Sequence, residues 1–336
     1  MLDFRLSFVA GHHAMKRVGI LLLQLLVTAA GLWYVFHEPQ KRAQIAVAFK
    51  QADRNWLILG WLCYSVVEIL GTVRWQILLR IQGIRLSWLK AGAIVMVGLF
   101  FNHFLPGGVG GDAMRLYFIF KLAPERKVGA TLSVAMDRVL GLLTLLSLAG
   151  ISLSLRFNAL TRSTPSLHIV YFALALLGAS FASVVLIFWL ASAGLLSELP
   201  RATPFRKAIV ESGEALRHYR KHLLTMAAAF LITVAAHLAY YTSYYCAGES
   251  LVASGHAASL ADILSIMPLV DTIVSVPISL GGVGVRETLF QELLGNLSHV
   301  PPALAAFTGS LGFLNQAAWG LIGAVIFLAS RKIISP

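Results

Sequence analysis

Charged residues are scarce in this chain of 336 residues: only 12% are Asp, Glu, Lys or Arg, whereas 58% are hydrophobic. A soluble domain usually carries about a quarter charged residues, so the composition excludes an ordinary soluble protein. Apolar runs of roughly 20 residues, the length that a helix needs to cross a bilayer, recur along the chain. The sequence therefore predicts an all-α, polytopic membrane protein that forms a single integral membrane domain over residues 1–336.

Cysteine is nearly absent, and both copies, Cys63 and Cys246, fall inside apolar runs. This placement provides no disulfide framework and no metal-ligand spacing. The sequence also contains no nucleotide-binding loop and no serine/histidine catalytic arrangement. We therefore expect no cofactor, no metal, no coupling to ATP and no enzymatic activity.

Acidic residues are few as well, 15 against 27 Lys and Arg, which leaves a net charge of +12. The basic residues are spread through short segments between the apolar runs. That distribution is typical of a membrane surface and not of a face that binds nucleic acid. We therefore expect a membrane lipid as the partner and no nucleic acid.

Two glycine-rich stretches interrupt the apolar runs. The first tip, Asn102–Arg115, contains one proline and four glycines and ends with an acid and a base. The second tip, Gly281–Glu287, repeats the Gly-Gly-Val-Gly motif 174 residues later. Unsatisfied backbone groups cost several kcal/mol in lipid, so irregular backbone at membrane depth lines a cavity enclosed by protein.

The distribution of Lys and Arg distinguishes two topologies. If every apolar run crosses the membrane once, the basic segments 74–90 and 121–127 fall on opposite sides. If each tip instead ends a re-entrant hairpin, 18 basic residues fall on one side and 6 on the other, as the positive-inside rule requires. We therefore predict about six full spans plus two re-entrant helical hairpins in a bacterial inner membrane, with both termini cytoplasmic.

The hairpin topology divides the chain into two similar halves. The first span is predicted at residues 18–36 and the second at residues 56–73, with a polar connector at 40–54 between them and a loop at 156–166 between the halves. Residues 18–155 and 168–330 both read span, span, hairpin, span, but the halves begin on opposite sides. The two hairpins therefore enter from opposite faces and meet near the midplane, the inverted-repeat arrangement of many transporters. Residues 205–222 have the spacing of an amphipathic helix that lies at the interface.

The tips carry most of the residues that we assign to substrate binding. Glycine permits left-handed backbone, Asp112 stands at an N-cap position, and a helix start favours an anion such as a lipid phosphate. Arg115 is placed to pair with a phosphate or to neutralise Asp112, while the glycines alternatively serve only close helix packing. The assigned residues are Asn102, Pro106, Gly107, Gly108, Gly110, Gly111, Asp112, Arg115, Asp137, Arg138, Gly281, Gly282, Gly284, Arg286 and Glu287.

Other ionisable residues lie within apolar segments, where they mark either a pathway or an internal ion pair. Asp137 and Arg138 are adjacent and therefore point about 100° apart on a helix, so they need different partners. A tip carboxylate is one possible partner of Arg138. Glu68, His103 and Asp271 are secondary candidates for the site.

Uncharged polar residues also occur in the apolar runs. We expect His237 and Gln316 to make interhelical hydrogen bonds. The tyrosine pairs 240–241 and 244–245 lie near the end of a span, and we expect them to form an interfacial aromatic belt without a functional role.

This combination of residues resembles the lysylphosphatidylglycerol synthase transmembrane-region family, which includes the flippase half of the multiple peptide resistance factor and standalone relatives. The resemblance covers roughly residues 15–330 and implies a flippase-like fold with re-entrant helices. The flippase half handles aminoacylated phosphatidylglycerol, but the family's aminoacyl-transferase domain has no counterpart in these 336 residues. The matching residues are Asn102, Pro106, Gly107, Gly111, Asp112, Arg115, Asp137, Arg138, Pro277, Gly281, Gly282, Gly284 and Glu287.

The resemblance also implies that Asp112, Arg115, Asp137, Arg138 and Glu287 surround a headgroup cavity. We therefore expect a lipid flippase or lipid transporter for a phosphate-bearing phospholipid or isoprenoid-linked headgroup. Two alternatives stay open: a membrane enzyme that acts on a lipid-linked phosphate or glycan, and an accessory subunit that presents lipid to a lipid-synthesising enzyme. No paired carboxylates at a defined spacing support the enzyme.

Overall fold

The computed structural model describes residues 19, 22–104, 110–192, 218–255 and 258–329. Within these ranges the chain is helical and contains no strand. The predicted tip residues Pro106, Gly107 and Gly108 lie outside the described ranges, as do residues 205–217 of the predicted interfacial helix. The described helices are α1 (Leu22–Phe36), α2 (Pro39–Gln51), α3 (Arg54–Ile81), α4 (Trp88–Phe104), α5 (Gly110–Leu122), α6 (Lys127–Leu160), α7 (Thr164–Ser192), α8 (Leu223–Glu249), α9 (Leu260–Val274), α10 (Val285–Ser298) and α11 (Pro302–Leu328).

Five of these helices, α3, α6, α7, α8 and α11, are long and apolar enough to cross a membrane. The prediction of an all-α, polytopic membrane protein is therefore confirmed. The predicted first span, residues 18–36, is described only from Leu22 and forms the shorter apolar helix α1. Helix α4 is also apolar but has only 17 residues.

Several predicted boundaries are wrong because helices continue through charged residues. The second span was expected to end at Val73, but α3 continues to Ile81. Trp75 and Leu79 are fully buried, so the apolar face extends past Arg74. The predicted polar connector after α1 is largely the helix α2, which begins with Pro39 in its first turn. The predicted loop from Arg156 continues as helix to Leu160, with non-helical backbone only at Arg156.

Helices α4 and α5 form a hairpin, which we call the first pair. Its two outer ends lie side by side, because Nη1 of Arg126, just after α5, donates to the carbonyl of Gln82, just before α4, at 2.9 Å. At the other end of the pair, the backbone N–H of Gly111 donates to Oδ1 of Asn102 at 2.9 Å. The first tip is thus the closed end of an antiparallel helix pair.

Helices α9 and α10 form the second pair, whose outer ends lie beside the α6–α7 corner. Asp262, near the start of α9, forms an ion pair with Arg156 near the end of α6. Asn296, near the end of α10, donates to Oγ of Ser163 at 3.0 Å. A capping box between Ser259 and Asp262 starts α9 and satisfies free backbone donors there.

The two pairs are attached to opposite ends of α6. The first pair is bonded to Arg126 at the start of α6, and the second pair is bonded to Arg156 near its end. The closed ends of the pairs meet between these two attachments: the Cβ position at Gly281 lies 3.3 Å from the carbonyl oxygen of His103. Helices α3 and α8 pack antiparallel beside this contact.

Candidate functional site

A cavity of about 300 Å³ opens beside the first tip. It lies among α3, α4, α5, α6, α8, α9 and α11, so both helix pairs contribute to its wall. Its lining is strongly polar for the interior of a membrane protein, where each ionisable side chain is costly and faces a partner or a water-filled space. The polar side chains that line it are Tyr64, Glu68, Arg74, Asn102, Arg115, Asp137, Arg138, His237, Tyr240, Asp271 and Gln316.

Three arginines and two aspartates form a continuous ion-pair network on one wall of this cavity. Asp137 forms ion pairs on two sides: Nε of Arg74 lies 2.5 Å from its Oδ1, and Nη1 of Arg115 donates to its Oδ2 at 2.9 Å. Asp112 lies 2.7 Å from Nε of Arg138 and 3.6 Å from Nη1 of Arg115. The network therefore contains one more guanidinium than carboxylate.

The five members differ in exposure. The side chain of Asp137 is 7% exposed and that of Arg115 is 11% exposed, whereas that of Arg138 is 57% exposed. The guanidinium carbon of Arg115 also lies 4.5 Å from the centroid of the Trp75 ring, a cation–π contact. Asp137 thus holds two enclosed guanidiniums, while Arg138 presents its charge toward open space.

Helix α3 lines the cavity through one helical face. Tyr64, Val67, Glu68, Gly71 and Arg74 all line the cavity and follow one another at spacings of three or four residues. Side chains at that spacing lie on the same face of an α-helix. Glu68 interacts electrostatically with the two enclosed guanidiniums of the network.

The first tip brings α4 and α5 very close together. A Cβ at Gly111 would overlap the carbonyl oxygen of Gly98 and the side chain of Asn102. Only glycine allows this approach, and the approach places Asp112 and Arg115 on the first turns of α5, facing α6. The amide of Asn102 satisfies the N–H of Gly111 and so caps the start of α5.

The second tip is a tight turn whose carboxylate is bonded within the protein. Gly281, Gly282 and Gly284 have positive φ angles of 57°, 77° and 84°, which favour glycine. Oε2 of Glu287 accepts from the Gly284 N–H at 2.6 Å, and Oε1 accepts from the Ser310 hydroxyl at 3.1 Å. Both carboxylate oxygens are therefore engaged within the protein.

Arg286 is almost completely buried in the same tip, with 3% exposure. Its Nη2 donates to the carbonyl of Gly281 at 3.1 Å, and its guanidinium carbon lies 4.6 Å from the centroid of the Phe313 ring. Its Nε and Nη1 have no hydrogen-bond partner among the described residues.

A hydrogen-bonded chain joins the two pairs across the cavity. Nε2 of His103 lies 2.9 Å from Oε1 of Gln316, and Nε2 of Gln316 donates to the hydroxyls of Tyr240 and Tyr244 at 2.9 and 2.7 Å. The Tyr240 hydroxyl in turn donates to Oδ1 of Asp271 at 3.3 Å. Residues of α4, α11, α8 and α9 are thus connected.

Comparison with known proteins identifies the family. The family model described as lysylphosphatidylglycerol synthase TM region matches residues 21–323. The chain belongs to this family. The resemblance inferred from the motifs is therefore confirmed, and the matched range includes both tips and every residue that lines the cavity.

Two archaeal membrane proteins are similar to this chain over shorter stretches. The UPF0104 membrane protein PH1989 of Pyrococcus horikoshii is 28% identical over 130 residues, which cover 38% of this chain and 37% of the relative. The UPF0104 membrane protein MJ1595 of Methanocaldococcus jannaschii is 30% identical over 87 residues, 26% of each chain. The chain thus matches about a third and a quarter of the length of these relatives.

The residues predicted for the site separate into two groups. The cavity is lined by Glu68, Asn102, Arg115, Asp137, Arg138 and Asp271. Asp112 joins this group through its ion pairs, His103 through Gln316, and Gly110 and Gly111 by their position at the start of α5. The second group, Gly281, Gly282, Gly284, Arg286 and Glu287, forms the second tip and is not among the residues that line the cavity in the described part of the chain.

Several residues of this family site were missed or misread in the sequence. Arg74 was assigned to a basic connector. Tyr240 and Tyr244 were expected at the interface, yet Tyr244 is fully buried and both bind Gln316. The expected interhelical bond of Gln316 is confirmed, whereas His237 bonds the carbonyl of Thr233 on its own helix. Helical spacing from Glu68 to Arg74 was the signal that could have found Arg74.

Proposed function

We propose that the protein is a lipid transporter of the flippase type and not an enzyme. It moves a phosphate-bearing headgroup, of a phospholipid or an isoprenoid-linked lipid, through the cavity beside the first tip while the chains stay in the bilayer. The observation that carries this proposal is that three guanidinium groups, those of Arg74, Arg115 and Arg138, lie together at the cavity wall. A headgroup phosphate offers the charge-assisted and bidentate contacts that guanidinium groups prefer.

The contacts of the network indicate where a phosphate binds. Arg115 lies 3.6 Å from Asp112, beyond a short ion pair, and Arg138 is the most exposed member. A phosphate placed between them competes with Asp112 alone, and it leaves the enclosed pairs of Asp137 intact. The start of α5 adds the favourable end of a helix dipole.

We further propose that both helix pairs are re-entrant hairpins in an inverted repeat. The attachment of the pairs to opposite ends of α6 supports this arrangement. Packing supports it too. In a repeat, α3, α4, α5 and α6 of the first half correspond to α8, α9, α10 and α11 of the second. The first hairpin helix of each half then packs against the last helix of the other half, since α4 contacts α11 and α9 contacts α6. Inverted repeats with broken helices meeting at membrane depth are a common transporter architecture.

We propose a bacterial inner membrane with the Arg126 end of α6 in the cytoplasm, since most of the basic connectors lie on that side. A lipid-synthesising enzyme in the same membrane is the partner class that fits a supplier of the lipid. Labelling from one face tests the orientation. In a background without Cys63 and Cys246, the exposed positions Arg85 and Glu125 are replaced by cysteine one at a time.

Both cysteines are expected to react from the cytoplasmic face. The matched pair at the other end, Ala253→Cys and His299→Cys, also occupies exposed positions and is expected to react only from the opposite face. Reaction of the Arg85 and Glu125 positions from different faces contradicts the re-entrant first pair.

Transport itself is tested in proteoliposomes with labelled anionic phospholipid. We expect Arg115→Ala to slow lipid movement at least about tenfold, a loss of roughly 1.4 kcal/mol of interaction, and the double variant Arg115→Ala/Arg286→Ala to be at least as slow. The control is Arg156→Ala, which also removes an arginine from an aspartate pair but lies at the far end of α6. If wild type and the double variant move lipid at equal rates, the tips have no role in transport.

A further inference from the structure

The chain from His103 to Asp271 has an unusual distribution of donors and acceptors. Nδ1 of His103 lies 2.9 Å from the Leu99 carbonyl, and its Nε2 lies 2.9 Å from Oε1 of Gln316. A carbonyl oxygen only accepts, so each of these contacts needs a proton on the imidazole. With the Gln316 amide in this orientation, His103 carries both ring protons and is positively charged.

The same orientation sets the state of the other end. The amide NH₂ of Gln316 donates to the Tyr240 oxygen, which leaves the Tyr240 proton free for Oδ1 of Asp271. A carboxylate accepts that proton and needs none of its own. One polarity of the chain therefore combines a protonated His103 with an ionised Asp271.

Rotation of the Gln316 amide by 180° reverses every bond in the chain. The NH₂ group then donates to Nε2 of a neutral His103, whose Nδ1–H remains on the Leu99 carbonyl. The amide oxygen now accepts from Tyr240, whose own oxygen accepts from a protonated Asp271. All contacts are satisfied again, and the two polarities contain the same number of protons.

We propose that His103 and Asp271 form a two-ended site that binds one proton, and that Gln316 and Tyr240 link its two positions. Transfer breaks one O–H bond at Asp271, where water of the cavity accepts the proton, and forms one N–H bond at Nε2 of the half-buried His103, where water donates one, while the amide rotates. With no proton, the oxygens of Gln316 and Tyr240 face each other without a hydrogen. With two protons, the Gln316 amide and Asp271 both donate to the Tyr240 oxygen, and the Tyr240 hydrogen is left to the Tyr244 hydroxyl, 3.4 Å away and outside the chain.

Neighbouring charges act on both ends. The guanidinium of Arg286 interacts electrostatically with both His103 and Asp271. Direct electrostatic coupling between the two ends also exists, and an experiment has to separate it from coupling through the chain. The titratable groups that face the site are Tyr64 of α3, Tyr240, Tyr241 and Tyr244 of α8, and Arg286 of α10.

The site lies where the two tips touch. His103 belongs to the first pair and contacts Gly281 of the second tip, while Asp271 belongs to the second pair and lines the cavity. If the protein transports lipid as proposed above, the position of the proton changes the hydrogen bonds that hold the pairs together. Only this last step depends on the proposed function.

Nitrogen-15 NMR of labelled histidine in lipid nanodiscs tests the site without a transport assay. The signal of His103, one of 10 histidines, is assigned by its loss in His103→Gln. Its titration midpoint is measured with and without Asp271→Asn in wild type, in Tyr240→Phe and in Tyr244→Phe. Tyr244→Phe is the matched control, because Tyr244 also binds Gln316 but is not the residue that bonds Asp271.

We expect Asp271→Asn to move the midpoint by about one pH unit in wild type and in Tyr244→Phe, the size of a coupled titration, and to move it much less in Tyr240→Phe. Equal shifts in the two tyrosine variants overturn the proposal, as does a His103 that keeps one protonation state between about pH 4 and 9. If liposomes show no lipid movement while these shifts appear, the proposed function fails and the proton site stands.

Discussion

The two tips share a glycine motif followed by charged residues, yet their charged side chains do different things. Asp112 and Arg115 of the first tip pair with residues of other helices at a cavity wall. Glu287 and Arg286 of the second tip, 1% and 3% exposed, bond to the backbone of their own tip. The difference arises from the facing helix, because α6 offers Asp137 and Arg138 to the first tip whereas α11 offers Ser310 and Phe313 to the second.

The comparison shows that a repeated motif does not fix the role of the charged side chains that follow it. Arg115 of the first tip lines the cavity, whereas the second tip uses its charge to hold an irregular turn together. Changes to the charged side chains of the first tip should therefore act mainly on transport, and changes to those of the second mainly on stability. The exception is Asp137, on which the whole network at the first tip depends.

The largest expected effect is that of Asp137→Ala. This change leaves Arg74 and Arg115 without their shared carboxylate in an enclosed site, and breaking a buried ion pair in this way costs about 3–5 kcal/mol. We expect a large loss of monodisperse protein after heating in mild detergent. Retention of wild-type stability contradicts the network as the support of the first tip.

Glu287→Ala tests the second tip. It removes the acceptor of the buried Gly284 N–H and the partner of Ser310, and an unsatisfied buried donor costs about 1–3 kcal/mol. The matched change at the first tip is Asp112→Ala, whose carboxylate is 18% exposed. We expect the Glu287 change to lower thermal stability more and the Asp112 change to slow lipid movement more; the reverse order would erase the contrast between the tips.

Gly111→Ala tests the close approach in the first tip. The added methyl group overlaps the Gly98 carbonyl and Asn102, and such overpacking costs about 1–3 kcal/mol. We place it beside the Glu287 change, because the nearest overlapping atom is the backbone carbonyl oxygen of Gly98, which moves only if α4 shifts. The control is Gly141→Ala on α6, where no atom lies within 4 Å of the new Cβ, and whose thermal stability should equal that of wild type.

The smallest effect on stability is expected for Arg138→Ala. Its side chain is 57% exposed, and an exposed ion pair contributes at most about 1 kcal/mol. Lipid movement in proteoliposomes should nevertheless slow, because this guanidinium is the one most accessible to a phosphate. If the variant is unstable but transports normally, Arg138 supports the structure and does not bind the phosphate.

The sequence allowed the prediction of the parts of the site that depend on local geometry. Adjacent residues diverge by about 100° on a helix, so Asp137 and Arg138 were expected to have different partners, and they pair with Arg115 and Asp112 respectively. The glycines predicted breaks in the helices. The close approach of Gly98 to Gly111 explains why glycine stands at position 111. Gly111, Asp137 and Arg138 are also among the residues that carry the family resemblance.

The remaining parts depend on contacts between distant segments. In the sequence, Arg74 looks like the end of a span because a charged residue lowers the local hydropathy. In the structure, Asp137 of α6 lies against it and offsets the cost of burying its charge. Tyr240 reads as interfacial because tyrosine favours that level, yet Asp271 and Gln316 supply its hydrogen bonds in the interior. Neither partner is visible before the helices are packed.

The length of helix α6 gives the distances between the two attachment points and the candidate site. From Arg126 to Arg156 it rises about 45 Å, at roughly 1.5 Å per residue, which exceeds the hydrocarbon thickness of about 30 Å. Both attachment points therefore reach the polar region of the bilayer. On the same scale, Asp137 lies about 17 Å from the Arg126 end and about 29 Å from the Arg156 end. If the protein transports lipid as proposed, a headgroup resting against this residue has completed the shorter part of a crossing that starts at the Arg126 end.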